Sequence, residues 1–348
     1  MGAVAFILYV SLSLSAQPAS ADDPATILET CLACHEDPSL SVTLPSGEVL
    51  PLTVDRAGFA GSVHGARHSC LDCHHGMLEM PHAPLAAQSR RAFRVASYET
   101  CKHCHFANYT KTLDSAHARA LARGDLNAPT CVDCHGSHDI QPPATPRTRI
   151  SATCATCHAG VNAAYASSVH GAALAQDDNP DVPVCTDCHQ SHAIEGASTA
   201  GWRARTPELC GNCHADEARM KKYGLSTAVL TTYLQDFHGV TASFDAGHGD
   251  GATIAALCTD CHGVHDIQKA TGAAAATMRS HLAERCRTCH AGAADDFPDA
   301  WLSHWEPSWS HAPLVYAVQW LYWILIPFII GGLALQILLH VWRVVVNR

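Results

Sequence analysis

The sequence has few of the large apolar side chains from which a hydrophobic core is usually built. Aromatic residues make up 7% of the 348 residues, and six of the seven tryptophans lie in the last 48 residues. Between the two ends of the chain, alanine, glycine, serine, threonine and aspartate are frequent. Protein interiors are normally close-packed with branched and aromatic side chains. The sequence therefore implies that another group fills much of the interior.

The sequence also lacks an excess of positive charge. Its formal net charge is −10, whereas a protein that binds nucleic acid presents a basic surface to the phosphates. We therefore expect no nucleic-acid partner.

No cysteine lies outside one kind of motif, because all eighteen fall in nine Cys-x-x-Cys-His motifs, numbered here 1 to 9 in chain order. The cysteines are Cys31, Cys34, Cys70, Cys73, Cys101, Cys104, Cys131, Cys134, Cys154, Cys157, Cys185, Cys188, Cys210, Cys213, Cys258, Cys261, Cys286 and Cys289. The histidines that follow them are His35, His74, His105, His135, His158, His189, His214, His262 and His290. Two thiols at this spacing can form thioethers with one haem, and the adjacent histidine then lies under the ring as the proximal iron ligand.

Zinc sites and disulfide frameworks also use paired cysteines. Neither needs a histidine directly after every second cysteine. The nine motifs therefore predict nine covalently bound haem c groups, whose porphyrins supply the apolar interior that the chain lacks.

The motifs alternate in type, so the repeat contains two motifs. Each even-numbered motif has aspartate in its third position, namely Asp72, Asp133, Asp187 and Asp260. Motifs 4, 6 and 8 continue as Cys-His-x-x-His and are followed within two residues by isoleucine; their additional histidines are His138, His192 and His265. Each odd-numbered motif is followed by a short segment that ends in histidine, namely His64, His117, His170, His238 and His304.

These eight histidines, with one from motif 2, predict nine distal iron ligands. Motif 2 departs from the pattern, because Met77 occupies the third position after His74. His82 is the expected substitute, with His75, Met77 and Met80 as alternatives, and His311 is the alternative to His304. All nine irons would then carry two histidines, and the second and ninth motifs would be the least regularly ligated.

Seven histidines remain, and we assign them to the surface or to the surroundings of the haems. They are His68, His75, His103, His248, His281, His311 and His340. His340 lies near the end of the C-terminal apolar run, where a contact with haem b or quinone is the alternative.

Apolar segments lie at both ends of the chain. An uncharged run at 3–16 is followed by Ala19-Ser20-Ala21, the pattern of a cleaved secretory signal peptide. It lacks a basic n-region, so an uncleaved anchor is the alternative.

The C-terminal segment is long enough to span a membrane. No Asp, Glu, Lys or Arg occurs between Glu306 and Arg343, and a membrane-spanning helix needs about 20 residues. A buried helix of a soluble protein is the alternative there.

These segments predict five regions. They are a signal peptide at 1–21, a periplasmic nine-haem domain at 22–306, an interfacial segment at 307–313, a transmembrane helix at 314–341 and a cytoplasmic tail at 342–348. Tryptophans flank the predicted helix and arginines follow it, which predicts a cytoplasmic C-terminus in the inner membrane.

The expected fold class is a mainly α and irregular multihaem cytochrome c fold with little sheet. It has elongated two-haem repeats and one C-terminal transmembrane helix. We expect a short helix at each motif and a longer helix over residues 216–233, while Pro and Gly elsewhere mark loops.

Two strings resemble the multihaem cytochromes c of the cytochrome c3-like class found in bacterial respiratory chains. They are Ser-Val-His-Gly, at 62–65 and 168–171, and Cys-Val-Asp-Cys-His-Gly-Ser-His-Asp-Ile at 131–140. The resemblance covers most of the predicted periplasmic domain. It implies electron transfer between the membrane quinone pool and periplasmic carriers or reductases, beside a membrane cytochrome b or quinol dehydrogenase subunit.

Three functions are compatible with this pattern. In the leading hypothesis the chain is not itself an enzyme, and electrons pass along six-coordinate haems. The alternative is a reductase or oxidase of a small nitrogen or sulfur compound, which needs one iron with an open position. The third is an anchoring subunit whose haems serve a larger complex.

The motif count predicts a haem content that can be measured directly. The purified full-length chain should retain nine haems after denaturation and acid–acetone extraction, because thioethers survive both treatments. Intact mass and haem absorbance give the ratio. A smaller number of retained haems would contradict attachment at every motif.

Overall fold

The computed structural model describes residues 23–65, 67–77, 79–197, 199–248, 255–269, 275–300 and 304–347. The predicted signal peptide lies outside these residues. Within them the chain is mostly helical, with a single two-stranded sheet and one long apolar helix at the C-terminus. The predicted fold class is confirmed in these respects.

Most of the described helices are short, and each motif lies in one of them or overlaps it. The α-helices are α1 (Pro24–His35), α2 (Arg56–Ala60), α3 (Arg90–Ser97), α4 (Phe106–Leu113), α5 (Ala116–Ala122), α6 (Cys131–His135), α7 (Thr148–Ala155), α8 (Ala159–Ser167), α9 (Val169–Asp177), α10 (Cys185–His189), α11 (Ala200–Ala204), α12 (Thr206–His214), α13 (Glu217–Met220), α14 (Val229–Gln235), α15 (Phe237–His248), α16 (Cys258–His262), α17 (Ala275–Cys289) and α18 (Pro313–Val346). Short 3-10 helices lie at Cys70–Asp72, Tyr98–His103, Lys221–Tyr223 and Phe297–Ala300.

The sheet is a small antiparallel hairpin between motifs 1 and 2. Strand β1 (Ser41–Thr43) pairs with β2 (Val49–Pro51), and Val42 lies opposite Leu50. Gly47 adopts φ +83° in the connecting turn, a backbone conformation that glycine adopts without steric cost.

The prediction of one long helix over residues 216–233 is wrong. After α13 the chain forms a 3-10 turn that ends at Gly224 with φ +64°. A left-handed glycine is a common helix terminator, and α14 begins only at Val229. The apolar pattern is therefore divided between two helices.

Many buried residues lie directly beside the motifs. The residue before the first cysteine of every even-numbered motif is buried, with exposed fractions of 8%, 6%, 2% and 1% at Ser69, Thr130, Val184 and Leu257. Packing is therefore tightest where the motifs lie, which agrees with an interior organised around the groups that the motifs attach.

The chain divides into two compact units. The N-terminal unit comprises Met1–Thr145 with His192–Ile194 and contains motifs 1 to 4. The C-terminal unit comprises Pro146–Ser191 with Glu195–Arg348 and contains motifs 5 to 9.

Helix α18 is long and apolar enough to cross a membrane. It has 34 residues, and an 18-residue window within it has a mean hydropathy of 2.3, with none of that window buried against the rest of the chain. The predicted span at 314–341 lies inside this helix, which continues to Val346. The helix fits a single-pass membrane anchor.

Candidate haem sites

The aspartate of each even-numbered motif caps the helix that carries the motif. Its carboxylate accepts a hydrogen bond from the backbone N–H of the residue before the first cysteine. The N–O distances are 2.8 Å for Asp72, 2.7 Å for Asp133, 2.8 Å for Asp187 and 2.8 Å for Asp260. A helix leaves its first N–H groups without partners inside the helix, so the aspartate stabilises a helical turn that begins at the cysteine.

In motifs 4, 6 and 8 the residue after the motif histidine has a left-handed backbone conformation, with positive φ. Gly136, Gln190 and Gly263 have φ of 78°, 63° and 78° after motifs 4, 6 and 8. In motif 2 His75 occupies this place, and the left-handed residue is instead Gly76, one position later, with φ 80°. Motif 2, which has Met77 in place of the histidine, therefore also leaves its helix differently.

The predicted distal histidines after motifs 1, 3, 5 and 7 lie just inside the start of a helical turn. The residue two positions before each histidine accepts a hydrogen bond from the backbone N–H three residues after itself: Ser62 from Gly65, Ser115 from Ala118, Ser168 from Gly171 and Asp236 from Gly239. Serine and aspartate are favoured N-cap residues for this reason. The recurring Ser-x-His string therefore orients the histidine through a helix cap.

Three backbone hydrogen bonds join these histidine segments to the segments that follow the even-numbered motifs. Each donor is the backbone N–H of the residue just before His64, His170 or His117. The acceptor is the carbonyl oxygen of the isoleucine two positions after His138, His265 or His192, respectively. The bonds are Val63 N to Ile140 O at 2.9 Å, Val169 N to Ile267 O at 2.9 Å and Ala116 N to Ile194 O at 2.7 Å. Two predicted distal histidines are thus held close together at each bond.

Eight motif histidines face a second histidine at nearly constant distance. The separations of ring centroids are 6.2 Å for His35 and His82, 6.0 Å for His64 and His105, 6.0 Å for His74 and His138, 6.2 Å for His135 and His192, 6.2 Å for His170 and His214, 6.0 Å for His189 and His265, 6.4 Å for His238 and His290, and 6.1 Å for His262 and His304. Each pair joins one predicted proximal histidine to one predicted distal histidine.

This separation is the one expected for two imidazoles on opposite sides of a single metal ion. A metal–imidazole bond is about 2.0–2.1 Å and the nitrogen lies about 1.1 Å from the ring centre, so the two centres should be about 6 Å apart. Imidazoles in van der Waals contact would lie closer. The pairs therefore have the geometry of the two axial positions of a haem iron.

The pairs follow a regular order along the chain. A histidine segment after an odd-numbered motif faces the motif two places ahead, as His64 faces His105 of motif 3. The histidine after an even-numbered motif faces the motif two places back, as His138 faces His74 of motif 2. His82 and His304 break this order and face motifs 1 and 8.

This order changes where the irregular ligands fall. We expected motifs 2 and 9 to be the least regular, but His74 and His290 face His138 and His238, which belong to the regular series. The least regular pairs are instead those of motifs 1 and 8, which face His82 and His304.

Hydrogen bonds orient two of the paired rings. The Nδ1 atom of His35 lies 2.6 Å from the Leu52 carbonyl oxygen, and Nδ1 of His304 lies 3.4 Å from Thr232 Oγ1. A bond at Nδ1 fixes the ring and leaves Nε2 for a metal ion.

Burial favours the neutral form of eleven of the sixteen paired histidines. Desolvation is the largest cause of the lowered pKa of the paired histidines His64, His74, His135, His138, His170, His189, His192, His214, His262, His265 and His304. For His170 burial, with the charge of His214, lowers the pKa to about 4. Only the neutral ring offers a lone pair to a metal ion.

The first cysteines of the two motifs in a repeat hydrogen-bond to each other. The contacts are Cys31 with Cys70, Cys101 with Cys131, Cys154 with Cys185 and Cys210 with Cys258. The second cysteine of an even-numbered motif lies close to the next odd-numbered motif, as Cys73 does to Cys101, Cys188 to Cys213 and Cys261 to Cys286. Within each compact unit, motifs consecutive in sequence are therefore neighbours in space.

Four of the remaining histidines have other contacts. His68 lies 3.5 Å from the Asp72 carboxylate, His75 packs edge-to-face on His103 with ring centroids 4.9 Å apart, and His311 stacks on Trp305 at 4.4 Å. Within the described residues, no group of three or more His, Cys, Asp or Glu side chains is placed to hold a metal ion alone. The predicted ligands His117 and His158 both make interactions, and their roles stay predictions.

Sequence reasoning missed the arginines that bind the motif aspartates. Arg91 Nη1 lies 2.7 Å from Asp133, Arg147 Nη2 lies 2.8 Å from Asp187, and Arg203 donates two bonds of 2.7 Å to Asp260. A signal was present for two of them, because Arg147 and Arg203 lie seven residues before the first cysteine of an odd-numbered motif, as do Arg94 and Arg279. Arg94 makes the longer contact with Asp133, at 3.5 Å, and Arg91 lies three residues before it.

The glycine after a paired histidine should be sensitive to substitution. A Cβ atom at Gly171 would lie 2.0 Å from the Tyr165 carbonyl oxygen, whereas a Cβ at Gly160 in α8 would meet nothing within 4 Å. We expect Gly171→Ala to destabilise the protein by about 1–3 kcal/mol through overpacking. Gly160→Ala should be neutral or stabilising by about 0.4–1 kcal/mol. Thermal unfolding of the haem-loaded chain measures both, and equal effects would contradict the close approach at Gly171.

One comparison with known proteins finds a likeness. A model of the cytochrome c3 family matches residues 125–215, which contain motifs 4 to 7. No curated protein and no solved structure matches the chain. The similarity of residues 125–215 to cytochrome c3, with the motifs and the ring pairs, supports the assignment of the chain to the multihaem cytochromes with covalently bound haem c.

Proposed function

We propose that the chain is a membrane-anchored cytochrome that carries electrons along nine covalently bound haem c groups. In this proposal each motif attaches one haem through its two cysteines and supplies the proximal histidine. The electrons pass between a quinol dehydrogenase or cytochrome b partner in the membrane and a periplasmic carrier or reductase.

The eight histidine pairs carry this proposal. A centroid separation of 6.0–6.4 Å leaves room for an iron atom between the rings and for one porphyrin plane. An iron held by two histidines keeps its ligands in both oxidation states, which suits electron transfer. Histidine–methionine ligation raises the potential of a cytochrome c, so two-histidine ligation suits low-potential respiratory chemistry.

The neighbouring cysteines support an order for the haems. Because consecutive motifs are adjacent within each unit, haems attached to them would be adjacent as well. The N-terminal unit would hold haems 1 to 4 in this order, and the C-terminal unit haems 5 to 9. Such an order gives electrons a continuous route within each unit.

The alternative function is reduction or oxidation of a small nitrogen or sulfur compound at an incompletely ligated haem. The sequence placed such a haem at motif 2 or 9. The facing rings of His138 and His238 supply a second imidazole at both places. The geometry therefore favours electron transfer over catalysis at these two haems.

Helix α18 supports a membrane partner. Its apolar side chains are exposed along its length, and Cβ atoms at Gly331 and Gly332 would meet nothing within 4 Å. Adjacent glycines allow the close approach of a second helix in a membrane. We propose that this helix anchors the haem domain on the periplasmic side of the inner membrane and contacts the quinol-linked subunit.

The two irregular ligands give the sharpest test of the ligand assignment. We expect His304→Ala to retain all haems but to convert one ferric haem from low spin to high spin, because the iron facing His262 loses its second imidazole. His311→Ala is the matched control, since His311 stacks on Trp305 instead, and it should leave every haem low spin. His82→Ala with the control His75→Ala tests motif 1 in the same way. Electron paramagnetic resonance counts the spin states.

The wild-type chain separates electron transfer from catalysis. In detergent, the full-length protein should show no high-spin ferric signal and should bind no carbon monoxide when reduced. A high-spin signal together with turnover of nitrite, hydroxylamine or tetrathionate would contradict the proposal and favour the enzyme.

A further inference from the structure

The same ion pair recurs in three of the repeats, those formed by motifs 3 and 4, 5 and 6, and 7 and 8. In motifs 4, 6 and 8 the aspartate that caps the motif helix also binds an arginine that precedes the odd-numbered motif of the same repeat. The pairs are Arg91 with Asp133, Arg147 with Asp187 and Arg203 with Asp260. Arg94 adds a second contact to Asp133 at 3.5 Å.

Each arginine also binds the loop that leads into the even-numbered motif. Arg91 donates to the carbonyl oxygens of Leu126 and Ala128. Arg147 donates to Val182 O at 3.1 Å, and Arg203 lies 3.4 Å from Ala255 O. One guanidinium group therefore contacts both the aspartate that caps the motif helix and the carbonyl oxygens of the loop before that motif. Its N–H donors lie in a fixed planar arrangement.

The repeat formed by motifs 1 and 2 lacks this pair, and so does motif 9. Pro24 occupies the place seven residues before motif 1, and Asp72 of motif 2 faces His68 instead. Arg279 occupies the corresponding place before motif 9, where no even-numbered motif follows, and it pairs with Asp299. The arginine–aspartate pair therefore accompanies the three repeats formed by motifs 3 to 8.

The location of the pair has an electrostatic consequence. The aspartate lies in the motif itself, two residues before the histidine that would bind the iron. A carboxylate without a partner at this place favours the ferric form of that haem, which carries one more positive charge. The arginine side chains of the three pairs are 24%, 23% and 41% exposed, and partial burial weakens the screening of their charge by water.

We propose that Arg91, Arg147 and Arg203 are positioning residues for the haems of motifs 4, 6 and 8. Each holds the motif aspartate against the odd-numbered motif of its repeat and neutralises its charge, which keeps the haem potential from falling. The inference rests on the proposed function, since it assumes haem at these motifs.

The experiment compares variants of the pair with the strongest geometry. Arg203→Gln leaves Asp260 without its partner and should lower the potential of one haem. Asp260→Asn leaves the guanidinium without its partner and should raise it. The double variant should return near the wild-type value. We expect each single change to alter the oxidised-to-reduced ratio of that haem about tenfold, which is about 59 mV for a one-electron couple.

Arg205→Gln is the matched control. Arg205 lies two residues further along and pairs with Glu195 rather than with a motif aspartate. Potentiometric titration of the haem absorbance follows all variants of the full-length chain, and intact mass gives their haem content. If the haem content is unchanged, the titration should show a changed midpoint potential for one haem and unchanged potentials for the others.

The outcomes distinguish this inference from the proposed function. Shifts of the same sign in Arg203→Gln and Asp260→Asn, an equal shift in Arg205→Gln, or no shift would overturn the role of the arginine. None of these results changes the spin state or the haem count of the wild-type chain, on which electron transfer depends. If Arg203→Gln or Asp260→Asn loses haem, Arg203→Lys replaces it in the test, because lysine keeps the positive charge. A haem potential equal to the wild-type value in Arg203→Lys supports the charge effect.

Discussion

Each proposed haem site needs two imidazole rings about 6 Å apart on opposite sides of one iron, and in this chain the two rings come from different segments. The other local features serve this requirement. Serine caps orient the histidine segments, aspartate caps orient the even-numbered motifs, and the isoleucine carbonyls join one to the other. The short helices are thus supports for ligands, and few of them could be stable alone.

The facing rings follow a crossed order with two exceptions. A regular partner comes from a segment two motifs away, whereas His35 of motif 1 and His262 of motif 8 face His82 and His304. In the proposed arrangement, in which these rings bind iron, folding is tied to haem attachment, since binding energy at a site formed only in the native chain contributes to folding. The scarcity of buried aromatic side chains is consistent with this dependence.

The sequence was sufficient to identify the nine motifs and to predict the mainly helical fold, because these depend on local spacing; the distal ligands stay predictions. It did not predict which histidine faces which motif, since facing rings such as those of His64 and His105 lie far apart in the sequence. The helix expected over 216–233 failed because the left-handed turn at Gly224 outweighs apolar periodicity. The arginine–aspartate pairs were missed although their spacing repeats, because arginine on its own has no ligand role.

The central claim is the crossed pairing of histidines about each iron. Diffraction from the full-length, haem-loaded protein at the iron absorption edge locates every iron directly. The account predicts that the iron of the haem attached at Cys210 and Cys213 lies between His214 and His170, and that the haem attached at Cys258 and Cys261 lies between His262 and His304. At either of these two haems, a distal histidine from the repeat of motifs 7 and 8 itself, or one axial ligand alone, would contradict it.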